Sequence, residues 1–213
     1  SCPDAFEWLE APARLDITVA DKLTELVRAL RPQLIINAAA YTHVDRAESE
    51  VELAHRVNGL GPSLLAGAAL DVGAQLVHVS TDFVFDGRKS TPYLPHDLAH
   101  PLNVYGQSKL AGEAGVREKL GDTALIVRTA WVYSPTAPNF VHTMRRLMRE
   151  RSELKVVSDQ IGTPTHAIGL AEALWRLHRE GVTGTHHWTD AGVASWYDFA
   201  QAIHEYSARH APE

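Results

Sequence analysis

The chain has 213 residues, 45% hydrophobic and 22% charged, a profile that gives one large or two small globular domains with a substantial core. Its net charge of −6 removes any general electrostatic case for nucleic acid or an anionic membrane, and no apolar run approaches the ~20 residues that span a bilayer. The single cysteine, Cys2, excludes an internal disulfide framework and suits a reducing compartment; with no charged-then-apolar leader, a cytoplasmic protein is expected. Twelve histidines invite a metal, but they are scattered without zinc-type spacing, so ordinary surface or core histidines and no metal site are expected.

After "LDIT", leucines and valines at helical spacing predict a helix from about Val19 to Leu30, ended by Pro32. "QLIINAAA" reads as a buried strand running into small residues. Asp45 with Glu48 three places on resembles a capping box opening a short helix. A long helical stretch from about Glu52 to Leu70 closes at Gly73, and "QLVHVST" is the next strand. Residues 86–103 hold four prolines or glycines among polar residues and read as a surface loop. A helix from Tyr105 to about Leu120 follows, then "ALIVRTAWVY" as one strand, "NFVHTMRRLMRER" as a helix and "LKVVSD" as a short strand. "HAIGLAEALWRLHR" is helical, "GTHHWTD" is strand-like, and Ser195 is the expected N-cap of a last helix. Strands alternating with helices of this length imply βαβ units and a parallel sheet, whose ligands bind beyond the carboxyl ends of the strands.

Chemistry collects at those ends. "NAAAYT" (37–42) leaves room for a flat ligand against the backbone, or equally for close helix–sheet contact. "STDFVF" (80–85) places two hydroxyls and a carboxylate at a strand end, where such residues also favour turns. "YGQSK" (105–109) stacks a phenol and an ammonium at i and i+4. A free phenol has a pKa near 10; an ammonium beside it would lower that value and make Tyr105 a usable proton donor to a forming alkoxide. Thr81 would hydrogen-bond the same oxygen.

The ordered set "LDIT", "NAAAYTHVDRAESE", "VN", "VHVSTDFVFDG", "PLNVYGQSKLAGE", "VRTAWVYS", "NFVHTM" and "DQIGTPT" closely resembles the dTDP-4-dehydrorhamnose reductases, members of the extended short-chain dehydrogenase/reductases. The resemblance runs from about Leu15 to Tyr206. It implies an α/β protein, a Rossmann-like doubly wound parallel sheet with a small C-terminal substrate-binding part. It implies reduction, by NADPH or NADH, of the C4 keto group of dTDP-4-dehydro-β-L-rhamnose to dTDP-L-rhamnose, admits Mg2+, and leaves room for a homodimer. Thr81, Tyr105 and Lys109 would be the catalytic trio. Asp16 and Ile17 would contact adenine, Ala38, Ala39, Ala40 and Tyr41 would line the dinucleotide with Tyr105 and Lys109, and Lys109 would hold the nicotinamide ribose. Thr42, Val44, Asp82 and Trp131 would face the deoxysugar, and Asn139, Gln160, Gly162 and Pro164 the nucleotide of the substrate.

The family opens with a glycine-rich turn, GxxGxxG, whose amides bind the cofactor pyrophosphate; this sequence has no glycine before Gly59. An internal piece of a longer protein is therefore expected, with residues 1–135 (and part of 150–190) as an incomplete dinucleotide-binding domain and 136–213 mainly as the substrate-binding region. Such a fragment alone would bind NAD(P)H weakly or not at all. Two other functions remain open: a non-catalytic regulatory subunit of this fold, like the methionine adenosyltransferase β subunit, and a reductase or epimerase of another nucleotide sugar.

Overall fold

The computed structural model describes residues 15–210; Cys2 lies outside them. The chain forms two compact units, the first running up to Arg128 and taking back Leu174–His187, the second comprising Thr129–Ala173 and the residues from Trp188.

In the first unit, α1 (Ala20–Leu30) buries Leu23 and Val27, one turn apart, and ends where Arg31 turns left-handed (φ 44°) ahead of Pro32. The strand β1 (Leu34–Asn37) stops before the alanines, which adopt no regular structure. A short α2 (Val44–Ala47) follows. Its expected capping box is absent: His43 is the N-cap and its side chain makes no capping hydrogen bond. Glu48 is engaged elsewhere, accepting the Val104 amide at 2.9 Å.

The long helical stretch is present but changes winding. It runs as α3 (Val51–His55), one π segment (Arg56–Leu60) and α4 (Gly61–Val72), where Gly73 (φ 72°) closes it in the left-handed region. Next come β2 (Gln75–Thr81), a tight turn at Asp82–Val84, the loop to Asn103, and α5 (Val104–Leu120). Asn103 caps α5 by accepting the Gly106 amide at 2.8 Å. After β3 (Leu125–Thr129) the chain leaves this unit.

The sheet of this unit has the order β1-β2-β3-β7, with β7 at Gly184–His187. Asn37 pairs in parallel with His78, and Arg128 with His187; Asn37 and His187 end their strands and Arg128 is next to last in β3, while His78 lies in the middle of β2. Ala66, Ala69, Leu76, Val116 and Ile126 form one core, and Leu23, Val27, Leu65 and Ala68 a second. The result is a Rossmann-like parallel α/β sheet.

In the second unit, "AWVY" does not prolong β3. Trp131 takes φ 48°, unusual for a non-glycine residue, and β4 (Val132–Tyr133) restarts beyond it. α6 (Phe140–Glu150) is capped by Asn139, which accepts the amides of Val141 and His142. "LKVVSD" forms no strand, and Val157 is exposed. Short pairings involve β5 (Ile161–Gly162), β6 (Thr165–His166) and β8 (Ala194–Ser195): β4 runs parallel to β6, and β5 antiparallel to β8. α7 (Ala167–Arg179) starts in this unit and ends in the first. α8 (Trp196–Arg209) opens with the capping box of Ser195 and Asp198. Met144, Ala200 and Ile203 are its core. Among the described residues no helix is long and apolar enough to cross a membrane.

Candidate active site

Four of the side chains singled out in the sequence converge in the first unit, at the carboxyl end of β2 and the first turn and a half of α5. Thr81 and Lys109 are buried, at 6% and 2% exposure. The Thr81 hydroxyl donates to Asp82 Oδ1 at 3.1 Å and accepts the Phe83 amide at 3.2 Å, so the strand-end threonine also caps the turn that follows it. The Phe83 ring meets Tyr105 edge-on at 5.4 Å.

The electrostatics correct one expectation. Burial pushes the Tyr105 phenol above its ordinary value; the neighbouring Thr81 hydroxyl pulls it down and the Asp82 charge pushes it up. The shift is opposite to the one expected from Lys109, whose ammonium donates to the Val79 carbonyl at 2.7 Å. Burial brings that ammonium down to about 8, with the Glu113 carboxylate opposing. Burial also drives the Asp82 carboxyl up to about 6. With its pKa raised, Tyr105 in this structure is a weaker acid than a free phenol, which is protonated at neutral pH in any case.

The loop after β1 is tied to the same helix. Asn58, fully buried in the π segment, accepts the Tyr41 amide at 2.8 Å and donates to the Tyr41 carbonyl at 2.9 Å and to Ser108 Oγ at 3.0 Å. Ser108 in turn donates to the Tyr105 carbonyl at 2.7 Å. Ala38 and Ala39 are exposed and carry nothing beyond Cβ, and the Ala39 amide donates to Asn37 Oδ1 at 3.1 Å. Thr42 and Val44 follow in the same loop and the start of α2. Asp16 is exposed and accepts from Thr18, while Ile17 packs against Gly61.

The remaining candidates lie in the second unit. Trp131 stacks on Trp196 with ring centroids 3.6 Å apart, and Gly162 approaches so closely that an added Cβ would sit 2.5 Å from the indole. Asn139 caps α6, Gln160 is exposed, and Pro164 is half-buried. Among the described residues no group of three or more His, Cys, Asp or Glu side chains could hold a metal ion.

Sequence reasoning missed Glu113 and Arg128, a heavily bonded polar pair of the first unit. Glu113 accepts four hydrogen bonds: Oε1 from Ser80 Oγ (2.6 Å) and Arg128 Nε (2.8 Å), Oε2 from Arg128 Nη2 (2.7 Å) and Arg117 Nη2 (2.8 Å). The signal was present as a Lys–Glu–Arg ladder at four-residue spacing on α5, which reads as a solvated face.

The model of the RmlD substrate binding domain matches residues 7–213. The dTDP-4-dehydrorhamnose reductase of Escherichia coli K12 is 44% identical over 195 residues, and that of Burkholderia thailandensis 46% identical over 197; these matches cover 89% and 88% of the chain. The chain spans 65% and 66% of the length of these two relatives. The crystal structure of dTDP-4-dehydrorhamnose reductase from Bacillus anthracis, in complex with NADP, superposes with a TM-score of 0.88 at 43% identity, covering 91% of this chain and 69% of that one. The chain belongs to the RmlD substrate-binding-domain family, that of the dTDP-4-dehydrorhamnose reductases.

Proposed function

We propose that the protein to which this chain belongs reduces the C4 keto group of dTDP-4-dehydro-β-L-rhamnose with NADPH or NADH. The observation that carries the reading is the convergence of Thr81, Asp82, Tyr105 and Lys109 at one strand end of a parallel sheet. The NADP-bound relative at 43% identity supports a nicotinamide cofactor. Ala38, Ala39, Ala40 and Tyr41 would line the cofactor, with Asp16 and Ile17 toward its adenine and Lys109 on its ribose; when bound, it supplies the hydride that reaches the sugar carbon.

The chain's own residues do the rest. Tyr105, protonated at neutral pH like any phenol, gives its proton to the oxygen as that oxygen becomes an alkoxide. The Thr81 hydroxyl, donated to Asp82 in this structure, turns to the same oxygen. Thr42, Val44, Asp82 and Trp131 recognise the deoxysugar, and Asn139, Gln160, Gly162 and Pro164 its nucleotide. The single cysteine supports a reducing, cytoplasmic setting.

One observation favours a second substrate. A dTDP-4-keto-6-deoxy-D-glucose reductase of Streptomyces niveus is 43% identical over 199 residues. Turnover of both dTDP-4-keto sugars by the full-length protein, in wild type and Tyr105→Phe, tests the reading. Tyr105→Phe is expected to keep cofactor binding and lose roughly 10²–10⁴-fold in kcat on the true substrate. A Tyr105→Phe protein that turns over at the wild-type rate overturns the assignment.

A further inference from the structure

Glu113 and Arg128 are at 0% and 5% exposure, inside a sheet whose parallel strands would ordinarily present apolar side chains to a helix. Replacing a buried ion pair with apolar residues of similar volume is often neutral or stabilising, so stability alone is a weak reason for such a pair. Its connections supply another. Glu113 sits one turn after Lys109 on α5 and accepts from Ser80, the neighbour of Thr81. Arg128 grips Glu113 with two nitrogens and has one left, Nη1, which donates to the Pro95 carbonyl at 3.2 Å. Its Cζ lies over the Phe85 ring, 5.0 Å from the centroid, and Phe85 stacks on Tyr93 at 4.3 Å. Tyr93 closes the loop on itself by donating to Asp86 at 2.6 Å.

Resting on the reductase reading, the geometry points to Arg128 as a positioning residue: held in place by Glu113, it docks the loop Phe85–Asp97, which follows Asp82, onto the catalytic helix. Arginine suits this task because its planar fork reaches the carboxylate, the carbonyl and the ring at once. A lysine would keep the charge and reach only one of them.

The test uses the full-length protein and the variants Arg128→Lys and Phe85→Leu, the second leaving the ion pair whole. Amide hydrogen exchange of residues 88–98 is measured without cofactor, beside melting temperature, the Kd for NADPH, and KM and kcat for the nucleotide sugar. For Arg128→Lys the expected result is loop exchange about tenfold faster and KM for the sugar about tenfold higher, with Kd for NADPH within about twofold of wild type. For Phe85→Leu the same changes appear at about threefold. Unchanged loop exchange in a folded variant overturns the proposal. So does a parallel loss of cofactor affinity, sugar affinity and melting temperature, which marks a purely structural pair. Should Arg128→Lys fail to fold, the Phe85→Leu arm decides alone. A wild-type protein without turnover sinks the reductase reading instead, and the exchange data still decide whether Arg128 anchors the loop.

Discussion

The two units hold their candidate functional side chains by different physics. In the first, Thr81, Tyr105 and Lys109 stand among buried groups fixed by directed bonds: Ser80 and Arg128 on Glu113, and Asn58 on Tyr41 and Ser108. In the second, Trp131 is fixed by faces, lying flat on Trp196, which meets Phe140 at 4.6 Å, with Phe199 5.5 Å from Phe140. A directed network fails abruptly, because a lost partner leaves buried charge or donors uncompensated. An aromatic stack fails gradually, because area and contact are lost piece by piece.

The sharpest way to break that contrast is to remove the hub. Glu113→Leu leaves Arg128 buried without its carboxylate, and a loss of about 3–5 kcal/mol in denaturant unfolding is expected. A loss no larger than that of a surface change would place Arg128 in solvent contact. The aromatic counterpart is Gly162→Ala. An added Cβ meets the Trp131 ring at 2.5 Å, and overpacking of this kind costs about 1–3 kcal/mol, with a changed near-UV signal from the Trp131–Trp196 stack. Equal losses for the two variants would erase the distinction.

Acid titration sharpens the polar side. His78, fully buried, is driven down to about 3, mainly by burial, with the Lys109 and Arg117 charges adding and Glu113 opposing. Its folded pKa lies below the unfolded value of 6.5, so it contributes nothing above pH 6.5. As pH falls toward 3 the unfolded state takes up a proton that the folded state refuses, and stability is lost. Relative to His78→Gln, which cannot titrate, wild type should lose about 1.4 kcal/mol per pH unit across that window. Parallel stability–pH curves would show that His78 accepts a proton in the fold. The smallest effect is Ser195→Ala: breaking the α8 capping box costs about 1 kcal/mol by thermal denaturation and leaves the first unit's network untouched.

Much of this was legible in the sequence, and unevenly so. The parallel strands announce themselves as short apolar runs between helices, and the strand-end "STD" and the Tyr105–Lys109 pair stand out by chemistry. The π segment does not, since nothing in the mixed run Arg-Val-Asn-Gly-Leu (56–60) favours one winding over the other. "LKVVSD" has strand-like residues but finds no partner strand, and pairing is not a local property. The left-handed Trp131 reflects no propensity of tryptophan; Gly162 and Trp196 make room for it and support it. The inward face of α5 was hidden for a plainer reason. Its buried residues are Gly106, Ser108, Lys109, Gly112, Glu113 and Val116, so hydrophobic periodicity points nowhere.

That same face has a mechanical consequence. All three glycines on α5 act as notches: a Cβ on Gly106 would stand 2.2 Å from the Phe83 carbonyl, one on Gly112 2.1 Å from that of Asn58, and one on Gly115 2.7 Å from the Ser63 side chain. A helix seated in this way behaves like a keyed shaft. Turning it by a single residue, about 100°, would drive side-chain bulk into backbone oxygen at two notches and into Ser63 at the third. The direction in which Tyr105 and Lys109 point is therefore set by where the chain has no side chains at all.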